Sequence, residues 1–296
     1  MTFKESLFRI YEEHYKKLLL IPIVIFVLCL IILGVIYAQT GSVIDRDVSL
    51  KGGIEVTLLK ENLDFDDIEN ALMQEYSDVS VRELTNPLSR KSVGISIQVS
   101  DVSEEEITKF LKTKIDFDET NKDVYAPRNT ESEFGENFYK SLLIVVLIGF
   151  ILMALSVIIA FRTLIPSIAV ISAAVMDIVF ALTVASLIGI KLDGGAIVAF
   201  LLVIGYSVDT DILLTTKMIK RKEDTLMERM FGSMKTGLTM TISAIVALSV
   251  GYFVSLSSTL ENMFLIIVLA LIMDILTTYF TNAGILIWYA KKKGIQ

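Results

Sequence analysis

Six apolar runs, each long enough to cross a bilayer, decide most of what this chain can become. They cover Leu18 to Ala38, Leu142 to Phe161, Leu164 to Ile190, Ala196 to Thr216, Gly237 to Leu256 and Met263 to Tyr289. A helix rises 1.5 Å per residue, so about 20 residues cross the ~30 Å hydrocarbon layer. In that layer each backbone polar group must be satisfied within its own segment, which selects helices. With 53% hydrophobic residues gathered into such runs, the 296-residue chain reads as a polytopic membrane bundle, not a soluble globule. The first run is too long for the apolar part of a cleavable signal, and no A-x-A site follows it, so an uncleaved anchor is expected.

The short loops set an orientation. Arg162 lies between the second and third runs, and Lys217, Lys220, Arg221, Lys222, Arg229 and Lys235 lie between the fourth and fifth. Lys291, Lys292 and Lys293 follow the sixth run, whereas the opposite short loops hold only Lys191. Cytoplasmic loops collect lysine and arginine, so both termini of this multi-pass cell-membrane protein are expected in the cytoplasm. Trp288 and Tyr289 then mark the cytoplasmic interface of the last span. Residues 1–17 form a cytoplasmic segment, 18–38 the first transmembrane helix and 39–137 an extracytoplasmic domain. Residues 138–290 hold the other five transmembrane helices, and 291–296 a cytoplasmic tail.

The 39–137 block carries 22 acidic and 11 basic residues, so it offers no basic surface for a nucleic acid. Its patterns read as a small α+β domain. An extended run from Leu50 to Leu59 contains Gly52 and Gly53, and Asp64 opens a helix with acids in its first turn. Strands follow over Val79 to Leu84 and over Val93 to Val99, the latter alternating cleanly. Ser103 and Glu106 form a capping-box pattern for a second helix, and a weak strand lies near Val124. The order β-α-β-β-α-β is that of a ferredoxin-like unit. Gly52-Gly53 reads as a turn or bulge in preference to a peptide-contact site. His14 and Cys29 are the only histidine and cysteine, which rules out a disulfide framework, a Cys/His metal cluster and any histidine-based triad. No cofactor and no enzymatic activity are expected.

Within the apolar runs stand four aspartates, Asp177, Asp209, Asp211 and Asp274, with no lysine or arginine at their depth. A carboxylate in hydrocarbon costs roughly 2.5–3.5 kcal/mol even on the lenient insertion scale, so it faces a bundle interior or a water path. Carboxyls that gain and lose a proton inside a membrane are what an ion-coupled machine needs. Helical spacing puts Ser207, Asp211 and Thr215 on one stripe, while Asp209 lies about 200° around from Asp211, above Gly205. The sixth run carries Asp274, Thr277, Thr278, Thr281 and Asn282 at helical intervals, and the fifth offers Thr236, Thr239 and Ser243. These groups are expected to enclose a polar seam. Plain helix-to-helix glue competes with that role for the hydroxyls, but two acids within three residues are too costly for glue.

The run from Val203 to Leu214, Val-Ile-Gly-Tyr-Ser-Val-Asp-Thr-Asp-Ile-Leu-Leu, with Gly205 and Tyr206 in it, resembles the fourth-span motif of the SecF family. Met176-Asp177 is similar to that family's His-Asp in the equivalent span. Asp47-Val-Ser-Leu-Lys-Gly-Gly53 is similar to its Asp-x-x-x-x-Gly-Gly signature after the first span. The layout of one span, an external domain and five spans is also alike, and the Asp-Thr-Asp variant points to the archaeal branch. The resemblance implies the resistance–nodulation–division superfamily and a SecD-like membrane subunit that completes a twelve-span unit. It also implies the Sec translocon channel and unfolded or emerging polypeptides as partners, with energy drawn from a proton or sodium gradient.

Two departures bear on mechanism. Bacterial members read Gly-Tyr-Ser-x-Asn-Asp-Thr, with the acid where this chain has Thr210, flanked here by Asp209 and Asp211. They also carry an arginine in the fifth span, where Thr236 to Thr241 holds no cation. Which of the two acids inherits the role stays open on sequence alone. Two rival readings remain: a half-size exporter of small solutes or lipids acting as a dimer, and a structural accessory of the translocon without ion flux.

Overall fold

Among the described residues, six helical stretches are long and apolar enough to cross a membrane: Tyr11–Thr40, Gly135–Phe161, Leu164–Leu187, Gly194–Ile219, Leu226–Val254 and Thr259–Lys293. The computed structural model describes residues 3–60, 63–76, 78–85, 91–100, 102–130, 132–220, 224–255 and 257–294. Arg221, Lys222 and Leu256, which helped to orient and bound the runs, lie outside them. In chain order the elements begin with α1 (Phe3–Thr40), α2 (Val48–Lys51), β1 (Gly53–Leu58), α3 (Phe65–Glu75) and β2 (Val79–Thr85). Next come β3 (Ser92–Val99), α4 (Glu104–Lys114), β4 (Tyr125–Thr130), α5 (Ser132–Phe161) and α6 (Leu164–Leu187). The remainder is α7 (Gly194–Ile219), α8 (Leu226–Val254), α9 (Ser258–Leu276), a π-helical segment (Thr277–Asn282) and α10 (Ala283–Lys293).

The domain between α1 and α5 has sheet order β2-β3-β1-β4 with every pairing antiparallel, the ferredoxin-like arrangement. Alternation decides its two faces. Ile54, Val56, Leu58, Ile95, Ile97 and Val99 turn to one side and pack beneath Ile68 and Leu72 of α3 and Ile107 and Leu111 of α4. Burying such side chains stabilises the fold by about 1.5–3 kcal/mol each. Asp64 Oδ1 accepts the Asp67 N–H at 3.1 Å and Ser103 Oγ accepts the Glu106 N–H at 3.3 Å, so both helices start where their caps sit. A reciprocal capping box forms at Thr225 and Glu228, ahead of α8.

One expectation is corrected here. The extended run does not begin at Leu50: Val48–Lys51 is a helical turn, and the strand begins at Gly53. Asp47 Oδ1 caps that turn through the Ser49 N–H at 2.8 Å, and Gly52 ends it at φ 91°. Gly53 follows at φ 137°, where any Cβ would collide with the carbonyl oxygen of Val99. The Asp-x-x-x-x-Gly-Gly signature therefore builds a capped turn into a strand.

The other face of the sheet is polar and lies on the bundle. Glu55 Oε1 accepts from Ser96 Oγ at 3.3 Å, and Arg82 Nη1 pairs with Glu261 Oε2 on α9 at 3.8 Å. A small cavity of about 30 Å³ between them is lined by Ser80, Gln98, Lys191 and Asn262 among others. The chain leading into α2 is stitched to the α6–α7 loop, where the Leu192 N–H donates to Asp45 O at 2.7 Å and the Asp47 N–H to Leu192 O at 2.9 Å. Within the bundle, Ala181 and Ala185 on α6, Ala196 and Ala199 on α7, and Ala270 on α9 are fully buried. Small side chains at these crossings let helix backbones approach closely.

Candidate functional site

Three of the four membrane aspartates converge. Asp177 on α6, Asp211 on α7 and Asp274 on α9 are buried, and each meets side chains donated by a different helix. Ser207 Oγ donates to Asp177 Oδ2 at 2.6 Å, and Thr277 Oγ1 donates to Asp177 Oδ1 at 2.8 Å. Thr210 Oγ1 lies 3.1 Å from Asp274 Oδ2. Thr278 Oγ1 lies 2.8 Å from Asp211 Oδ1 and 3.1 Å from Asp274 Oδ1, while Asn282 Nδ2 donates to Asp211 Oδ1 at 2.7 Å.

The hydroxyl accounting is informative. Thr278 has one proton to donate, and a carboxylate can only accept. Both contacts close together only when one of the two carboxyls carries a proton and donates it to Thr278 Oγ1. Asp211 and Asp274 are thus joined by a hydroxyl able to hand a hydrogen bond either way. Asp211 Oδ2, Asn282 Oδ1 and Thr215 Oγ1 are buried without a hydrogen-bond partner among the described residues. Leaving such atoms unmet costs about 1–3 kcal/mol each. They are oxygens, the donor type that suits a proton, a water or a hard cation. No group of three or more His, Cys, Asp or Glu residues is arranged to hold a metal ion among the described residues.

The stripe on the last span is built differently from the α-helical spacing used to read it. Thr277–Asn282 is π-helical, and this wider turn carries Thr277, Thr278, Thr281 and Asn282, all buried. Single π turns inside α-helices recur at functional sites. The Tyr279 carbonyl within it accepts from Tyr11 Oη of α1 at 2.9 Å. Thr281 faces α1, donating to Leu19 O at 3.4 Å, so it stands outside the acid cluster.

The fifth-span hydroxyls do not join the seam, and that expectation is corrected. Thr236 and Thr239 donate to the carbonyls of Gly232 and Lys235 on their own helix at 3.0 and 2.8 Å. Both are exposed, as is Ser243, because α8 turns Gly237 and Thr241 inward instead. Gly237 has a steric reason to lack a side chain: any Cβ there would collide with Tyr279 Oη. Asp209 is also excluded. It lies exposed on the outer face of α7 with Gly205 and Tyr206, and no hydrogen bond or ion pair joins its side chain among the described residues. Sequence reading missed Thr210 as a ligand of Asp274, although it occupies the motif position that elsewhere holds an acid.

A second polar group crowns the bundle. Asp193 caps α7, its Oδ1 accepting the Ala196 N–H at 2.6 Å and its Oδ2 the Asn262 amide at 3.4 Å. Burial pushes its pKa up to about 6, against the hydrogen bond from Ala196. Lys191 reaches Asp78 at 3.6 Å, and Lys51 pairs with the same carboxylate, so the crown ties the bundle to the sheet.

Comparison with known proteins agrees with this architecture. The family described as Protein export membrane protein SecD/SecF, C-terminal, matches residues 111–292. Protein-export membrane protein SecF of Pyrococcus furiosus is 31% identical over 98% of this chain and 97% of its own length. The SecF of Methanocaldococcus jannaschii is 33% identical over 94% and 96%, and that of Methanothermobacter thermautotrophicus 35% identical over 94% and 93%. The crystal structure of SecDF, a translocon-associated membrane protein from Thermus thermophilus, shares the fold with a TM-score of 0.71 at 17% identity. It is matched over 94% of this chain but only 38% of that longer chain.

Proposed function

We propose that this chain, which belongs to the SecF family of protein-export membrane proteins, acts with a SecD-like subunit to assist Sec-dependent translocation across or into the cell membrane. In this reading the ferredoxin-like domain faces the outside and engages emerging polypeptide, both termini lie in the cytoplasm, and a proton or sodium gradient supplies the work. The observation that carries the ion-linked part is the convergence of Asp177, Asp211 and Asp274 from three helices, with Thr278 bridging two of them and no lysine or arginine paired with them among the described residues. Movement of a proton or cation on or off this cluster would change which hydroxyls donate to which carboxyl. The contacts span α6, α7, α9 and the π segment, so such a change has a direct route to relative helix position. The α7 cap at Asp193 and the Leu192 strap continue that route to the external domain.

The test is client export in cells, with expression level and association with the SecD-like subunit measured for each variant. Asparagine keeps size and hydrogen bonding but cannot titrate. Asp211→Asn and Asp274→Asn should each reduce export at least tenfold while the complex still assembles. Normal export by both single variants and by the double variant, with assembly intact, would leave a structural accessory without ion flux.

A further inference from the structure

Three of the side chains that meet the buried acids ride on one short segment. Thr277 donates to Asp177, Thr278 bridges Asp211 and Asp274, and Asn282 donates to Asp211, all from the π turn Thr277–Asn282. At α-helical spacing Thr277 and Asn282 would stand about 140° apart around the axis. The wider π turn, bonded from i to i+5, brings the two ends of that interval towards one face. This register leaves a gap in the backbone ladder. The Ala283 N–H, which an α-helix would give to the Tyr279 carbonyl, goes instead to those of Thr278 and Phe280. A buried carbonyl passed over in this way needs a donor from elsewhere. It finds one on another helix: Tyr11 Oη of α1 donates to Tyr279 O at 2.9 Å, and Tyr11 is only 2% exposed.

We infer that Tyr11 is a positioning residue for the acid cluster: its hydroxyl completes the π register at the Tyr279 carbonyl and so holds Thr277, Thr278 and Asn282 on their carboxyls. This rests on the ion-linked reading above and adds to it a residue of the first span that bonds none of the acids itself. Close approach of α1 makes the reach possible. A Cβ on Gly284 would stand 3.1 Å from Leu19 Cβ and 3.3 Å from the Tyr15 carbonyl oxygen, so the bare glycine lets α1 lie close. The second tie between α1 and the segment, from Thr281 Oγ1 to Leu19 O, is 3.4 Å long and correspondingly weak. The Tyr11 ring has packing of its own, edge-on to Phe231 at 6.3 Å and among Leu214, Met218, Met230 and Leu286. Its hydroxyl can therefore be removed while the ring keeps its neighbours. Much of α1 is perimeter, with Leu20, Val24, Leu28 and Ile31 about half exposed. Displacement of this span would reach the acids through the segment that Tyr11 holds.

The test uses the full chain co-expressed with a SecD-like subunit. Tyr11→Phe removes the hydroxyl alone, and Tyr15→Phe, whose ring stays under Lys291 Nζ at 4.8 Å, is the control on the same helix. Hydrogen–deuterium exchange of the purified protein, read by mass spectrometry, compares peptides covering residues 276–284 with those covering β3. Tyr11→Phe should speed exchange over 276–284 at least tenfold and leave β3 unchanged. Client export in cells should fall at least threefold with the SecD-like subunit still co-purifying, and Tyr15→Phe should change neither reading. Unchanged exchange over 276–284 overturns the positioning role, whatever export does. Faster exchange there with normal export overturns it as well, because the register would then not matter to function. Loss of the subunit, or faster exchange in β3 too, assigns Tyr11 to general stability and overturns the specific role. Normal export by Asp211→Asn and Asp274→Asn instead removes the ion-linked reading, and the exchange result still decides whether Tyr11 holds the segment.

Discussion

At the scale of single residues, what distinguishes this bundle is how few protons its buried carboxyls must share. Asp177 is satisfied by two hydroxyls from α7 and the π segment, whereas Asp211 and Asp274 compete for Thr278. Asp193, at the membrane edge, provides a second titration with a definite sign. Burial raises its pKa from 3.8 to about 6 in the folded protein, so between those values the folded state holds a proton that the unfolded state has lost. Stability from this group is then fully present below about 3.8 and is lost as pH rises through 6, amounting to at most about 3 kcal/mol. Thermal unfolding in detergent should show it as a difference between native and Asp193→Asn protein. The native chain should lose melting temperature relative to the variant between pH 4 and 6, with no further change above pH 7. A pH-independent difference would contradict the assignment.

At the scale of elements, the four-stranded sheet and its two helices own a complete core, formed by β1, β2, β3, α3 and α4 with Tyr125 of β4 and Ile115. The sheet's face away from that core is polar and lies on the bundle. The fragment Val43–Thr130 should accordingly fold alone, giving mixed α/β circular dichroism and one cooperative denaturant transition. Within it, Leu72→Ala or Ile97→Ala should cost about 2–5 kcal/mol, because both side chains are fully buried and leave a cavity. Random-coil circular dichroism from the fragment would show that the core depends on the bundle. The bundle is less divisible: the hydroxyl and amide contacts to Asp177 and Asp211 join different helices, and the π segment is held from outside by Tyr11 of α1.

At the scale of the molecule, a multi-pass membrane protein of the SecF family carries its soluble domain against one end of the bundle. Orientation rests on the basic loops, and single cysteines in a Cys29→Ser background can read it. Lys122 in the sheet domain and Lys293 after the last span are both exposed, whereas Ser233 is buried and unsuited to labelling. A membrane-impermeant thiol reagent added to intact cells should label Lys122→Cys and spare Lys293→Cys until the cells are lysed. The reverse pattern would invert the topology.

Local chemistry is what made much of this legible in the chain itself. Bilayer thickness reads as run length, strand alternation has a period of two, and caps such as Asp64 and Ser103 act within four residues, so spans and the β-α-β-β-α-β order needed no tertiary knowledge. The presence of four membrane acids was equally plain. Which acids share a site was not, because that depends on how each helix is rotated about its axis, and rotation is settled by packing between elements distant in sequence. Alanine-lined crossings of α6, α7 and α9 bring Asp177, Asp211 and Asp274 together, and the same rotation of α7 turns Asp209 outward. Gly237 admits Tyr279, which turns Thr239 and Ser243 of α8 to the perimeter, while the π turn supplies Thr277, Thr278 and Asn282 in their place. Periodicity lists the groups a helix can offer; only the neighbouring helices decide which of them are desolvated and therefore which must find partners.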